Sequence, residues 1–84
     1  SNWPMVEKRR WKIIGEDNHI WDLDQFLGLN NGLWLTEIEL GEENEQFISP
    51  KWVGIEVTED QRFSSKQLSQ SPYTEIEGYE KYTT

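Results

Sequence analysis

The sequence predicts an α+β domain that is mainly antiparallel β: a three- to four-stranded meander followed by a short C-terminal helix. Three observations carry that prediction. Apolar and polar residues alternate with period two in three separate segments of the first half. Short runs of turn-forming residues separate those segments. The second half opens with the spacing of a helix cap instead of a further long alternation. Eighty-four residues make one small domain, close to the size below which a single core no longer holds a fold unaided.

The first segment is "VEKRRWKII", Val6 to Ile14. Lys8, Arg10 and Lys12 fall on one side of a strand here, and Arg9, Trp11 and Ile13 on the other. "GEDNH" is turn chemistry. "IWDLDQFLG" alternates again, setting Asp22 and Asp24 against Trp21 and Leu23. "LNNG" supplies a second turn, and its Asn-Gly pair is a hairpin signal because both residue types tolerate positive φ. "LWLTEIEL" is the third strand, with Glu37 and Glu39 on one side and Trp34, Ile38 and Leu40 on the other. Strands linked by such short connections form an antiparallel meander. The side carrying Trp11, Ile13, Trp21, Leu23, Trp34, Ile38 and Leu40 is the expected packed side.

Beyond the loop "GEENEQ", the chain reads as irregular around Pro50, with "GIEVT" as a short strand candidate. Antiparallel strands are thus expected within residues 6–58. Thr58 and Gln61 have capping-box spacing and predict a short helical region from about Glu59, broken at the Ser64-Ser65 pair and ended by Pro72, within residues 59–73. Residues 74–84, "TEIEGYEKYTT", show no period and read as a weak helix or a loose tail.

Sixteen acids against eight bases give a formal net charge of −8, which argues against a general binder of duplex DNA or of anionic membranes. No apolar run approaches a membrane helix, and no signal-peptide pattern opens the chain. With no cysteine, disulfides and thiolate metal sites are out, and a cytoplasmic setting is the expectation. Ser1-Asn2 has the look of a cloning remnant. The five tryptophans, Trp3, Trp11, Trp21, Trp34 and Trp52, argue against disorder. In so acidic a chain they suit core or rim packing better than base stacking.

Each predicted strand presents a same-side pair of charges at i and i+2: Lys8/Arg10, Asp22/Asp24 and Glu37/Glu39. The plain reading of any one pair is the solvated side of a one-sided sheet. Their recurrence on three neighbouring strands points instead to a built charged face. Paired carboxylates suit a divalent cation such as Mg²⁺ or Mn²⁺, and alternating Lys and Arg suit phosphate oxygens. His19, the one histidine, sits in a predicted turn and reads as a surface residue. No cysteine, nucleophile-elbow serine or Gly-rich phosphate loop is present to support nucleophilic or P-loop chemistry. Asp60 and Arg62 read as helix-end charges.

The motifs "EKRRW", "WDLDQFLG", "GLWLTEIEL", "FISPKWVGIEVT" and "DQRF", in that order, resemble the C-terminal half of the CYTH domain. This is the superfamily of triphosphate tunnel metalloenzymes, which contains class IV adenylate cyclases, thiamine triphosphatases and bacterial inorganic triphosphatases. The resemblance covers about residues 6–73 and is strongest in style to the short bacterial members. It implies an antiparallel eight-stranded barrel around a charged tunnel, with this chain forming half of it. Lys8 and Arg10 are then similar to phosphate-binding tunnel residues. Glu37, Glu39 and Asp24 resemble the metal-binding acids, with Asp22 and Glu56 as weaker candidates, and no catalytic group separate from the metal site.

The family's N-terminal E-x-E-x-K strand is absent from the sequence. The resemblance therefore implies a partial CYTH-like domain, completed by the missing N-terminal half or by a homodimer. Its expected function is binding, and in the complete domain hydrolysis, of triphosphate compounds with Mg²⁺ or Mn²⁺. Inorganic tripolyphosphate fits best and cyclase activity less well, and the chain by itself is expected to be inactive. The alternatives are a non-catalytic phosphate-binding module and an acidic protein-interaction module.

Overall fold

The computed structural model describes residues 5–84, so Ser1-Asn2 and Trp3 lie outside the described residues. Three strands form one antiparallel sheet in the order β1-β2-β3: β1 (Lys8–Ile14), β2 (Ile20–Phe26) and β3 (Trp34–Ile38). Glu39 donates its backbone N–H to Ile20 O and carries the pairing one residue past β3. The expected meander is therefore present, with three strands among the described residues.

The two turns show different local chemistry. Between β1 and β2, Gly15 and His19 close the loop, and Asn18 takes a left-handed φ of 67° that Asn tolerates better than most residues. Between β2 and β3, a 3₁₀ turn at Gly28–Asn30 precedes a bend in which Leu33 N–H donates to Asn30 O. Asn31 sits at φ −56°, ψ 137° and Gly32 at φ +98°, a type II turn. Only the glycine of the Asn-Gly pair needs positive φ. A Cβ on Gly32 would also stand 2.7 Å from Tyr73 Oη, so conformation and packing both demand glycine there.

The second half folds back over one end of the sheet. A 3₁₀ turn (Gln61–Phe63) leads into helix α1 (Ser65–Gln70), and further 3₁₀ turns follow at Tyr73–Glu75 and Tyr79–Tyr82. The helical region is indeed broken at the serine pair, because Ser64 is extended and caps α1 by accepting from Gln67 N–H. The Thr58/Gln61 capping box does not form: Asp60 caps the first turn through Arg62 N–H, and Thr58 donates to Glu56 instead. The strand candidate "GIEVT", residues 54–58, forms no strand and pairs with neither edge of the sheet.

Residues 74–84 are not a loose tail. Tyr73 is 1% exposed, Leu33 bridges to Thr83, and Thr84 N–H donates to Gly32 O. Buried Asn30 fastens the stretch leading into this segment with both ends of its amide. Its Nδ2 donates to Leu68 O at 3.0 Å, and its Oδ1 accepts from Tyr73 N–H at 2.9 Å.

The core lies where the alternation did not place it. Phe26, Leu33, Phe63, Leu68 and Tyr73 form the buried cluster. Phe26 pairs with Lys8, and Leu35 with Asp24, so this core occupies one end of the charged side of the sheet. On the expected packed side only Trp21 is buried, against Phe47 and Trp52, with ring centroids 5.7 and 6.2 Å away. Trp11 and Trp34 stack on each other at 5.9 Å but remain 43% and 36% exposed. Helical turns cover only one end of the sheet, so among the described residues Trp11 and Trp34 have only each other's rings to stack on.

Candidate functional site

In an antiparallel ladder, directly opposed residues point to the same face. The register pairs Arg10 with Asp24 and Asp24 with Leu35, then Lys12 with Asp22 and Asp22 with Glu37. One face therefore collects Lys8, Arg10, Lys12, Asp22, Asp24, Glu37 and Glu39. Six of the seven residues named from the sequence come together there. Glu56 does not: it sits exposed in the irregular segment before Asp60, bonded to Thr58.

The face is an ion-pair network with Asp24 at its centre. Arg10 donates from Nε to Asp24 Oδ1 at 2.7 Å and from Nη2 to Oδ2 at 2.8 Å, a bidentate fork. Lys8 Nζ donates to Asp24 Oδ2 at 2.9 Å. Lys12 Nζ spans β2, donating to Asp22 Oδ1 at 2.7 Å and to Glu39 Oε2 at 2.6 Å. Arg10 Nη1 lies 3.6 Å from Asp22 Oδ2. Among the described residues Glu37 makes no hydrogen bond or ion pair, though its charge acts on Arg10.

The protonation states follow from these contacts. The Asp24 hydrogen bonds raise the Arg10 pKa, so the guanidinium is charged at any accessible pH. Burial pushes the Asp24 carboxyl up, but the bonds from Arg10 and Lys8 outweigh it and hold it below its ordinary value. Lys12 holds Asp22 down in the same way, and is itself raised by Asp22 and Glu39. Three cations against four carboxylates leave the face one unit negative. A phosphate chain would meet cations already paired with carboxylates, so this chain holds it only weakly, by displacing them, and tight capture requires positive charge from beyond this network.

The carboxylates do not assemble a metal cage. Among the described residues no group of three or more His, Asp or Glu side chains is placed to hold a metal ion. Oxygen donors suit Mg²⁺ or Mn²⁺ chemically, yet Asp22 and Asp24 are engaged by Lys12, Arg10 and Lys8. The expected trio of Glu37, Glu39 and Asp24 is thereby divided.

Sequence reasoning underused Lys12, whose strand parity with Lys8 and Arg10 was the available signal. His19 also departs from the surface residue expected. Its Nε2 bonds Glu45, and its Nδ1 stands 2.9 Å from Asp17 Oδ2, out of line for a hydrogen bond and so a Coulombic contact. Asp17 also accepts from Ile48 N–H at 2.6 Å. This clasp holds the loop that carries Phe47 against Trp21. Asp60 and Arg62 are the helix-end pair expected, joined at 2.6 Å. No helix among the described residues is long and apolar enough to cross a membrane.

The chain is 46% identical over 70 residues to an inorganic triphosphatase of Acetivibrio thermocellus, a match covering 83% of this chain and 44% of that protein. It is 41% identical over 68 residues to an inorganic triphosphatase of Nitrosomonas europaea, covering 79% and 45% respectively. The chain thus spans less than half the length of the curated relatives it matches. No family model matches it, and no solved structure matches it.

Proposed function

We propose that this chain contributes the phosphate-holding face of a CYTH-type inorganic triphosphatase, with tripolyphosphate as the substrate class. The observation that carries the proposal is the single sheet face on which Lys8, Arg10 and Lys12 stand over Asp22, Asp24, Glu37 and Glu39. The likeness to two proteins named inorganic triphosphatase supports the same reading. In it, Arg10 offers the N–H groups that Asp24 leaves open and Lys8 acts as a point charge. Lys12 can exchange a carboxylate for a phosphate oxygen at small cost, because it is the most exposed of the three.

The face carries one net negative charge and no complete metal cage, so hydrolysis needs further groups. We place these in the length of the relatives that this chain does not cover, and propose the sheet as half of a closed tunnel. Mg²⁺ or Mn²⁺ in the whole protein would take only part of its oxygen shell from this chain, with Glu37 the carboxylate least committed elsewhere. The chain alone then binds weakly and does not turn over.

The test is phosphate release from tripolyphosphate with Mg²⁺ or Mn²⁺, by a whole protein containing this segment, against its Glu37→Gln/Glu39→Gln variant. Turnover that disappears in the variant supports the proposal; absence of turnover with either metal removes the hydrolase reading. One observation favours a second reading: every cation of the face already has a carboxylate partner, as in a solvated structural network. That reading predicts no response to any phosphate compound.

A further inference from the structure

We infer that Asp24 is a positioning residue, which holds Arg10 and Lys8 in place for a phosphate chain, and is not a metal ligand. The inference deepens the phosphate-binding reading above and rests on it. Asp24 is 5% exposed and lies between Arg10 on β1 and Leu35 on β3. Both its oxygens are taken: Oδ1 by Arg10 Nε, Oδ2 by Arg10 Nη2 and Lys8 Nζ. With three charge-assisted bonds made to a carboxylate that is 5% exposed, the acceptor site left on Oδ1 is shielded from solvent. Direct coordination of a divalent ion competes with a bidentate guanidinium and a second cation alongside it. Charge-assisted bonds of this kind are about twice as strong as neutral ones.

The same bonds orient the cations. The fork fixes the guanidinium plane and leaves Nη1, with one N–H of Nη2, as the donors not pointed at Asp24. Nη1 lies 3.6 Å from Asp22 Oδ2, a loose contact that a phosphate oxygen can replace. Lys8 Nζ is held beside Asp24 and 5.6 Å from the Phe26 ring centroid, which limits its rotamers. Binding a phosphate chain therefore costs little side-chain ordering at either cation, a form of preorganisation. Glu37, on the same face and without a bonding partner among the described residues, is the carboxylate left for a metal. The acids expected to act together thus divide into a cation holder and an open oxygen donor.

Calorimetric titration of the chain with tripolyphosphate, and separately with Mn²⁺, distinguishes these roles. Asp24→Asn should weaken tripolyphosphate binding at least about tenfold, the loss of one to two charge-assisted hydrogen bonds, and leave Mn²⁺ affinity within about twofold. Glu37→Gln should do the reverse. Loss of Mn²⁺ binding in Asp24→Asn with tripolyphosphate binding retained overturns the inference. Asp24→Glu, which keeps the charge, should recover part of the tripolyphosphate affinity. Should Asp24→Asn fail to fold, the unaltered chain still decides: the Arg10 Nε–Hε NMR signal should stay protected and unshifted as Mg²⁺ is added. Its loss on Mg²⁺ addition would show the ion taking Asp24 and would sink the inference. Failure of the unaltered chain to bind tripolyphosphate sinks the phosphate reading, while the Mg²⁺ experiment still reports whether Asp24 holds Arg10.

Discussion

The two ends of the sheet are held by opposite kinds of chemistry. At the Phe26 and Leu33 end, α1 and the 3₁₀ turns bury a cluster of aromatic and aliphatic side chains, and a neutral amide, Asn30, fastens them. At the Trp21 end, on the other face, a loop is held by partly exposed ion pairs among Asp17, His19 and Glu45 and by edge-to-face rings. The first end depends on volume and the second on charge. The charged face adjoins the first end, and its cations are oriented by their bonds to Asp24, Asp22 and Glu39.

The largest effects should come from the volume-dependent end. Leu68→Ala should destabilise by roughly 2–5 kcal/mol, the usual range for a buried leucine, and lower the urea midpoint accordingly. Trp52→Ala, at a residue 48% exposed, should fall well short of that. Comparable losses from the two would erase the distinction between the ends. Asn30→Ala comes next. It strands Leu68 C=O and Tyr73 N–H, and about 1–3 kcal/mol is expected for such unsatisfied groups. Hydrogen exchange should speed up across residues 73–84 before it does in the strands.

The smallest effect sharpens the comparison through pH. The hydrogen bond to Glu45, then the Asp17 carboxylate beside Nδ1, raises the His19 pKa above its ordinary 6.5. The stability this adds is complete below 6.5 and is lost as pH rises through the higher folded value. The backbone bond from Ile48, followed by contacts with His19, lowers Asp17 from 3.8 to about 2. That contribution is present above 3.8 and is lost as pH falls toward 2. The clasp should therefore be tightest between about pH 4 and 6.5. Exchange of the Ile48 amide, corrected for intrinsic rate, should show a minimum in that window while Tyr73 shows none. His19→Gln should remove the alkaline limb alone.

Much of this could be read from residue order, and the failures have a common cause. Strand parity placed Lys8, Arg10, Asp22, Asp24, Glu37 and Glu39 on one face, because a period of two determines side and needs no tertiary knowledge. Parity does not reveal which side is covered, and Trp11 and Trp34 made the half-open side look like the core. The true core depends on Leu68 and Tyr73 in a polar stretch without period, joined to β2 and β3 through Asn30 across about forty positions. The partnership of His19 with Glu45, 26 residues away, was equally hidden. The ion pairing was also hidden, since the sequence does not show that Lys8 and Arg10 converge on Asp24 while Glu37 is left exposed.

The most direct test of the central claim is an amide shift map of the ¹⁵N-labelled chain as tripolyphosphate is added with Mg²⁺. Shifts confined to Lys8–Lys12, Asp22–Asp24 and Glu37–Glu39 are predicted, together with movement of the Arg10 side-chain signal. No shifts, or shifts centred on the indole N–H signals of Trp11 and Trp34 on the other face of the sheet, would contradict the claim that this charged face holds phosphate.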